Sequence, residues 1–279
     1  MDFIWHIIAL IGTFIPYTLG YNLIFGKGKI LHFGPLGISI PTVYTIALIL
    51  IHTQNFLLAF IAGLAMALLF SALFAWVSLR LDADAFGVMS IALHLSTLAV
   101  VLNWNSLTRG ALGIPRIPRL PFLNSVFDFA VFGIVISVFS VIAVWHIDRS
   151  SFGRKLSALA EHEWHAKSLG INKSTSHLLA FLIGGVGIAF GNFIHPQYLT
   201  LLHPNDFLFP NFIFVVMIVV AGRPGSVLGV TLSTILLLVL REALRFVPLA
   251  PAVLGPVRLM LFGIMLFGAV WWWRDALFP

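Results

Sequence analysis

One stretch of this chain sets histidine and glutamate side by side, His162-Glu163-Trp164-His165. A catalytic zinc helix needs His-Glu-x-x-His, because histidines at i and i+4 stand one turn apart and can share a metal. Here the histidines are at i and i+3, and the segment reads as a solvated or partner-facing helix rather than a metal site. Gly20 to Lys27, GYNLIFGK, has the outline of a phosphate loop. That motif needs four residues between its glycines and a Ser or Thr after its lysine; here five intervene and Gly28 follows. No nucleotide site is expected, and if ATP drives this protein another subunit binds it. Cysteine is absent, so disulfides, thiolate metal sites and cysteine nucleophiles are excluded.

The remaining candidates for chemistry are the acids and one histidine. Asp2, Asp82, Asp84, Asp148, Glu161, Glu163, Asp206 and Asp275 fall outside the long apolar runs. Asp128 sits near the start of one run, and Glu242 near the end of another beside Arg241 and Arg245. None is central. A central carboxylate is common in proton- and ion-coupled transporters, so its absence lowers that class without excluding it, since backbone carbonyls can also hold sodium. His94 alone lies near the middle of a run, as a proton or substrate group or as a neutral, hydrogen-bonded packing histidine. An intramembrane enzyme built on His94 would need a second catalytic group at the same depth, and the sequence offers none.

The elements that must position these residues are apolar helices. Only 16 basic and 10 acidic residues occur in 279, or 9 % charged, while AVILMFWYC make up 60 %. A soluble domain carries about 25 % charge. A cytosolic enzyme, a disordered chain and a nucleic-acid binder are excluded. The net charge of +6 and pI near 10.1 come from scattered single and paired basic residues, which suit helix ends on the positive side of a membrane. Nine candidate spans appear, at 4–26, 36–52, 55–79, 85–102, 126–147, 177–198, 207–222, 226–247 and 257–273. Three are short enough to be tilted, broken or re-entrant, so the count is eight to ten. Runs this dense predict an all-α polytopic bundle, because an open sheet would leave amides unsatisfied in lipid. One transmembrane unit over 1–279 is expected, with no soluble domain attached. The first run has no Lys or Arg before it and reads as a retained span rather than a secretory signal.

Two connections are long: 103–125, rich in Gly, Pro and Asn, and 148–176, the most polar stretch. The positive-inside rule places 148–176 in the cytoplasm, and alternation puts 27–35, 80–84, 223–225 and the C-terminus there too. Arg109, Arg116 and Arg119 run against that bias, which suggests a partly re-entrant outer loop. Gly187-x-x-x-Gly191 and Gly225-x-x-x-Gly229 read as helix-packing positions. Pro16, Pro41 and Pro210 interrupt spans, as substrate-path breaks or as plain kinks. Within 148–176, Leu156 to Leu169 predicts one short amphipathic helix stopped by Gly170. Leu156, Leu159 and Ala160 share a face with the neighbourhood of Trp164, and docking into a partner is the favoured reading.

The order of motifs resembles a known family, the LivM-type permease subunits of branched-chain amino acid ABC importers (LivH/LivM family). Gly20-Tyr21-Asn22-Leu23-Ile24-Phe25-Gly26 is similar to its first helix end. Asn105 to Pro118 is similar to its Thr-Gly-Gly-x-x-Gly-Ile loop. Glu161 to Asn172 looks like its cytoplasmic coupling segment, followed by Leu178-Leu179-Ala180-Phe181. Pro204-Asn205-Asp206-Phe207 and Gly222-Arg223-Pro224-Gly225-Ser226-Val227-Leu228-Gly229 complete the series. The resemblance implies a subunit of a bacterial inner-membrane importer that works by alternating access without covalent chemistry. It implies a LivH-type second permease, two ABC ATPases that hold ATP and Mg, and an extracytoplasmic binding protein, with no cofactor or metal on this chain. Within 148–176, Glu161, Glu163, Ala166, Leu169 and Gly170 would form the ATPase-coupling helix. Gly34, Tyr44, His94, Gly110 and Gly113 are candidate positions on a substrate pathway between two subunits.

The chain departs from the family in places. His32-Phe33-Gly34-Pro35 stands where Ser-Leu-Gly-His is usual, and Thr42-Val43-Tyr44 where Gly-Ala-Tyr is. Arg223 replaces the second Gly of a pair, and His165 replaces an Ala. The chain is also shorter than most LivM-type subunits by roughly one N-terminal span. These departures leave the substrate open among branched-chain or other small hydrophobic amino acids, urea and short amides. An independent secondary transporter or channel is the alternative outside the family.

Overall fold

The computed structural model describes residues 2–246 and 251–272. The helices are α1 (Asp2–Tyr21), α2 (Pro35–Thr53), α3 (Phe56–Ser78), α4 (Ala83–Asn103), α5 (Asn105–Thr108), α6 (Val126–Arg149), α7 (Ser151–Glu161), α8 (Glu163–Ser168), α9 (Lys173–Leu199), α10 (Phe209–Ala221), α11 (Val227–Ala243) and α12 (Pro251–Trp272). Two-residue strands, β1 (Ile114–Pro115) and β2 (Leu201–Leu202), pair antiparallel. Among the described residues, eight helices are long and apolar enough to cross a membrane. The protein is an all-α, multi-pass membrane protein. Leu57, Ile61 and Leu69 of α3 and Ile134 and Val138 of α6 are exposed, as suits surfaces solvated by lipid. Of the predicted spans, 257–273 is described as far as Trp272. Asp275 and the chain's end lie outside the described residues.

Packing orients the bundle. Lys27 is ion-paired to Asp148 at 2.5 Å, Asn22 accepts from the Gly225 N–H, and Ser78 approaches His177 at 3.4 Å. These residues share the end that carries α7 and α8. The other end joins Trp5 to Phe127, His6 to Tyr198 and β1 to β2. The long loop 103–125 packs across this outer end. Its Arg119 donates to the carbonyls of Gln197 and Tyr198 at 3.2 and 3.1 Å. A cation at the last carbonyls of α9 satisfies groups that a helix C-terminus leaves orphaned, which accounts for this arginine's place against the charge bias. The loop caps the bundle there rather than re-entering it.

Re-entry occurs elsewhere. The expected cytoplasmic turn at 27–35 instead folds back into the bundle after the last turn of α1 widens into a π-helix, Asn22–Lys27. Ile30 and His32 are buried. Irregular backbone survives at membrane depth only where protein satisfies it. Here the Tyr21 hydroxyl donates to the His32 carbonyl at 2.7 Å, and the Phe33 N–H donates to Ser90 Oγ at 2.8 Å. The predicted span 207–222, one of the three short runs, is a part-depth helix. Its helix, α10, has 13 residues, about 20 Å of rise against about 30 Å of hydrocarbon. It starts level with the middle of α4, where the Nε2–H of His94 donates to the Phe207 carbonyl at 2.8 Å. Pro210 therefore opens a half-length helix, where its missing N–H does no harm, and does not interrupt a full span. Pro16 and Pro41 lie inside helices that continue past them.

Glycine seams hold α1 at the centre. A Cβ at Gly12 would overlap the backbone of Gly133 on α6, and one at Gly20 would meet the Gly184 carbonyl on α9. The Gly187 and Gly191 positions face the backbone of α1 at Pro16 and Thr13. Arg223 adopts φ 64°, a left-handed conformation that favours glycine. The departure from a glycine pair at this turn thus carries strain on the order of 1 kcal/mol.

Candidate functional site

The expected single helix at Leu156–Leu169 is two, α7 and α8, because His162 takes an extended conformation (φ −145°, ψ 91°) between them. The break separates two apolar faces. Leu156 and Leu159 turn inward; Leu156 clusters with Leu23 of the π-helical turn and Ala180 of α9. Trp164 and Leu169 turn outward, 85 % and 80 % exposed. The α7–α8 pair is therefore a bracket that docks by one face and presents a Trp and a Leu from the other. Of the candidate coupling residues, Glu161 is exposed and Ala166 is buried. Glu163 is held between Lys167 and Lys173 at 2.6 and 2.8 Å. Hydrogen bonds from these two ammonium groups keep its carboxyl below the usual carboxylate range. Gly170 has φ 80° with open space around it, and the Ile171 N–H returns to the Ala166 carbonyl at 3.1 Å. This is a Schellman stop, as the sequence suggested.

The candidate pathway residues divide. Gly34, the N-cap of α2, Tyr44 of α2 and His94 of α4 lie deep in the bundle. A Cβ at Gly34 would overlap the Ser90 carbonyl. The Tyr44 ring is 6.3 Å from that of Phe207, the residue whose carbonyl His94 binds. Gly110 and Gly113 are not with them. Both occupy positive φ, 53° and 69°, in the outer loop, with Gly113 against Leu202 and His203.

Between these groups and the outer end lies an open cavity of about 280 Å³ lined by α1, α2, α9, α10, α11 and the turn Pro204–Phe207. Leu36, Ser39 and Val43 supply one face of α2, and Asn192 and His195 face them from α9. Asn192 Oδ1 accepts from Ser39 Oγ at 2.9 Å. At the outer end Glu242, 5 % exposed, accepts from Arg245 at 2.7 Å and lies 3.8 Å from Arg241 and 3.9 Å from His6. The Arg241 guanidinium rests over the rings of Phe14 and Phe214 at 5.3 and 4.9 Å. Sequence reasoning placed Glu242 at a span end and missed this cavity. The one legible signal was an acid bracketed by two arginines inside an apolar run.

His32 is another buried polar group. Its ring packs against Tyr21, Phe74, Phe86 and Phe181. Neither nitrogen has a hydrogen-bond partner among the described residues. A buried unsatisfied polar group costs about 1–3 kcal/mol, so His32→Leu, similar in volume, is expected to raise the thermal unfolding midpoint of the protein in detergent. A lowered midpoint would mean that the imidazole's ring contacts outweigh its desolvation.

The family model described as "Branched-chain amino acid transport system / permease component" matches residues 3–270. The chain is 28 % identical over 264 residues to the high-affinity branched-chain amino acid transport system permease protein LivM of Salmonella typhimurium, covering 83 % of this chain and 61 % of that protein. Against the LivM protein of Escherichia coli it is 28 % identical over 271 residues, 86 % of this chain and 63 % of the relative. The chain thus spans about three fifths of the length of these curated relatives. No solved structure matches it. With the family model running from α1 into α12, the chain belongs to the family of branched-chain amino acid transport system permease components.

Proposed function

We propose that the chain is the membrane-spanning permease subunit of an ATP-driven importer for branched-chain or other small hydrophobic amino acids in the bacterial inner membrane. It works by alternating access with a second permease subunit, two ABC ATPases and an extracytoplasmic binding protein. ATP and Mg bind the ATPases. This chain forms no covalent intermediate and holds no cofactor. The observation that carries the reading is the family match over 3–270, and the α7–α8 bracket gives it a mechanical part. A nucleotide-driven change in the ATPase favours one arrangement of the bracket, and the bundle follows through Leu156. Co-expression with candidate ATPase and binding-protein genes tests it. The ATPase should co-purify with the chain, and proteoliposomes should take up L-leucine only with ATP and binding protein present. Uptake without any ATPase would replace this reading with that of a secondary transporter.

A further inference from the structure

We infer that the cavity inside this one subunit is itself a binding site for a zwitterionic α-amino acid with an apolar side chain. The inference rests on the permease reading and deepens it, because it places a substrate site within the chain's own bundle rather than only along a boundary between two subunits. The first argument is charge. Two guanidinium groups, Arg241 and Arg245, and two carboxylates, Asp206 and Glu242, meet at the outer end of the cavity. Their sum is zero. A zwitterion leaves that balance intact, whereas a simple anion or cation upsets it beside the buried Glu242, where unbalanced charge is costly.

The second argument is incompleteness. Glu242 is committed to Arg245, while the Asp206 carboxylate, on a cavity wall, is met only by a backbone hydrogen bond from His203 and the more distant charges of His203 and Arg241. Tyr17 also lines the cavity, and its hydroxyl is buried with no hydrogen-bond partner among the described residues. A ligand ammonium would give Asp206 a direct counter-charge, and a ligand carboxylate would lie within the field of the two arginines. Because the two charges of an amino acid are on one carbon, they must be met at one end, and here both signs are gathered at one end. The third argument is size and lining. The cavity of about 280 Å³ has room for roughly nine waters at ~30 Å³ each, the scale of a molecule with about nine heavy atoms. Below the charged end its walls are apolar, with Phe14, Val43 and Phe214 prominent. Urea and short amides carry neither the charges for the one end nor the apolar bulk for the other.

The full chain in lipid nanodiscs, without ATPase, provides the test. L-leucine should bind saturably. Isovalerate, which lacks the ammonium, and leucinamide, which lacks the carboxylate, should bind at least tenfold more weakly, and urea should not compete. Asp206→Asn should weaken L-leucine at least tenfold with no change in the unliganded melting midpoint, and Val43→Trp should abolish binding by filling the cavity. Either variant suffices if the other fails to insert. L-leucine binding unchanged in a folded variant overturns the site, as does equal binding of isovalerate or competition by urea. So does an assembled transporter that takes up L-leucine with ATP while this chain alone binds none, and that result leaves the permease reading standing. Saturable, Asp206-dependent binding to a chain that recruits no ATPase keeps the site and removes the ABC reading.

Discussion

Replacing Trp164 and Leu169 together by alanine is expected to cut ATP-driven uptake at least tenfold while leaving the protein folded. Both side chains are almost fully exposed, so the chain loses little burial of its own. An aromatic anchor seated in a partner's pocket behaves differently, because truncating it costs about 2 kcal/mol or more, roughly thirtyfold in affinity. Recovery of the ATPase on the tagged permease should fall in parallel with uptake. Leu57→Ala, on the lipid-facing side of α3, serves as the control and should change neither. Unchanged uptake and ATPase stimulation in the double variant would remove the coupling role of the bracket, because no other large apolar side chain of α8 points outward.

Gly12→Val is expected to destabilise the protein by about 3 kcal/mol, at the severe end of overpacking effects. A flexible neighbour could move aside, but here the obstacle is the backbone of Gly133, so α1 and α6 must separate along their length. Gly133→Ala, whose Cβ would stand 3.0 Å from the Gly12 Cα, should show a smaller loss of the same kind. Gly255→Ala is the control, since nothing lies within 4 Å of the Cβ it would gain. Thermal unfolding in detergent reads all three. Equal midpoints for Gly12→Val and wild type would mean that the α1–α6 seam is looser than the structure has it.

The bundle was largely legible because lipid demands long apolar runs, and every predicted run contains a helix among the described residues. What hydropathy could not give is depth. The run 207–222 is as apolar as its neighbours, yet its first residues belong to a descending turn that ends at Phe207, so only α10 is helical and it is half-length. The segment 27–35 misled in the opposite sense. Its lysines and glycines suggest an exposed turn, while its burial depends on Tyr21, Ser90 and three phenylalanines far away in sequence. The break at His162 escaped because Leu156, Leu159 and Trp164 keep a plausible helical period across it. Gly170 was readable because a stop signal is local. The cavity was not, since its charged end joins the turn Pro204–Phe207 to the far end of α11, and its walls come from α1, α2, α9 and α10. Acids that avoid the centre of each span can still converge when one of their segments enters the membrane only part-way.

The seams along α1 have a mechanical consequence. With its π-helical turn the helix runs unbroken from Asp2 to Lys27, about 39 Å at 1.5 Å per residue. Leu23, near its inner end, packs against Leu156 of the bracket, and His6, Phe14 and Tyr17 line the cavity at the other. Backbone contact with α6 and α9 leaves no compliant side-chain layer in between. The helix is thus a connecting rod, and a stroke delivered at the bracket reaches the cavity wall with little slack.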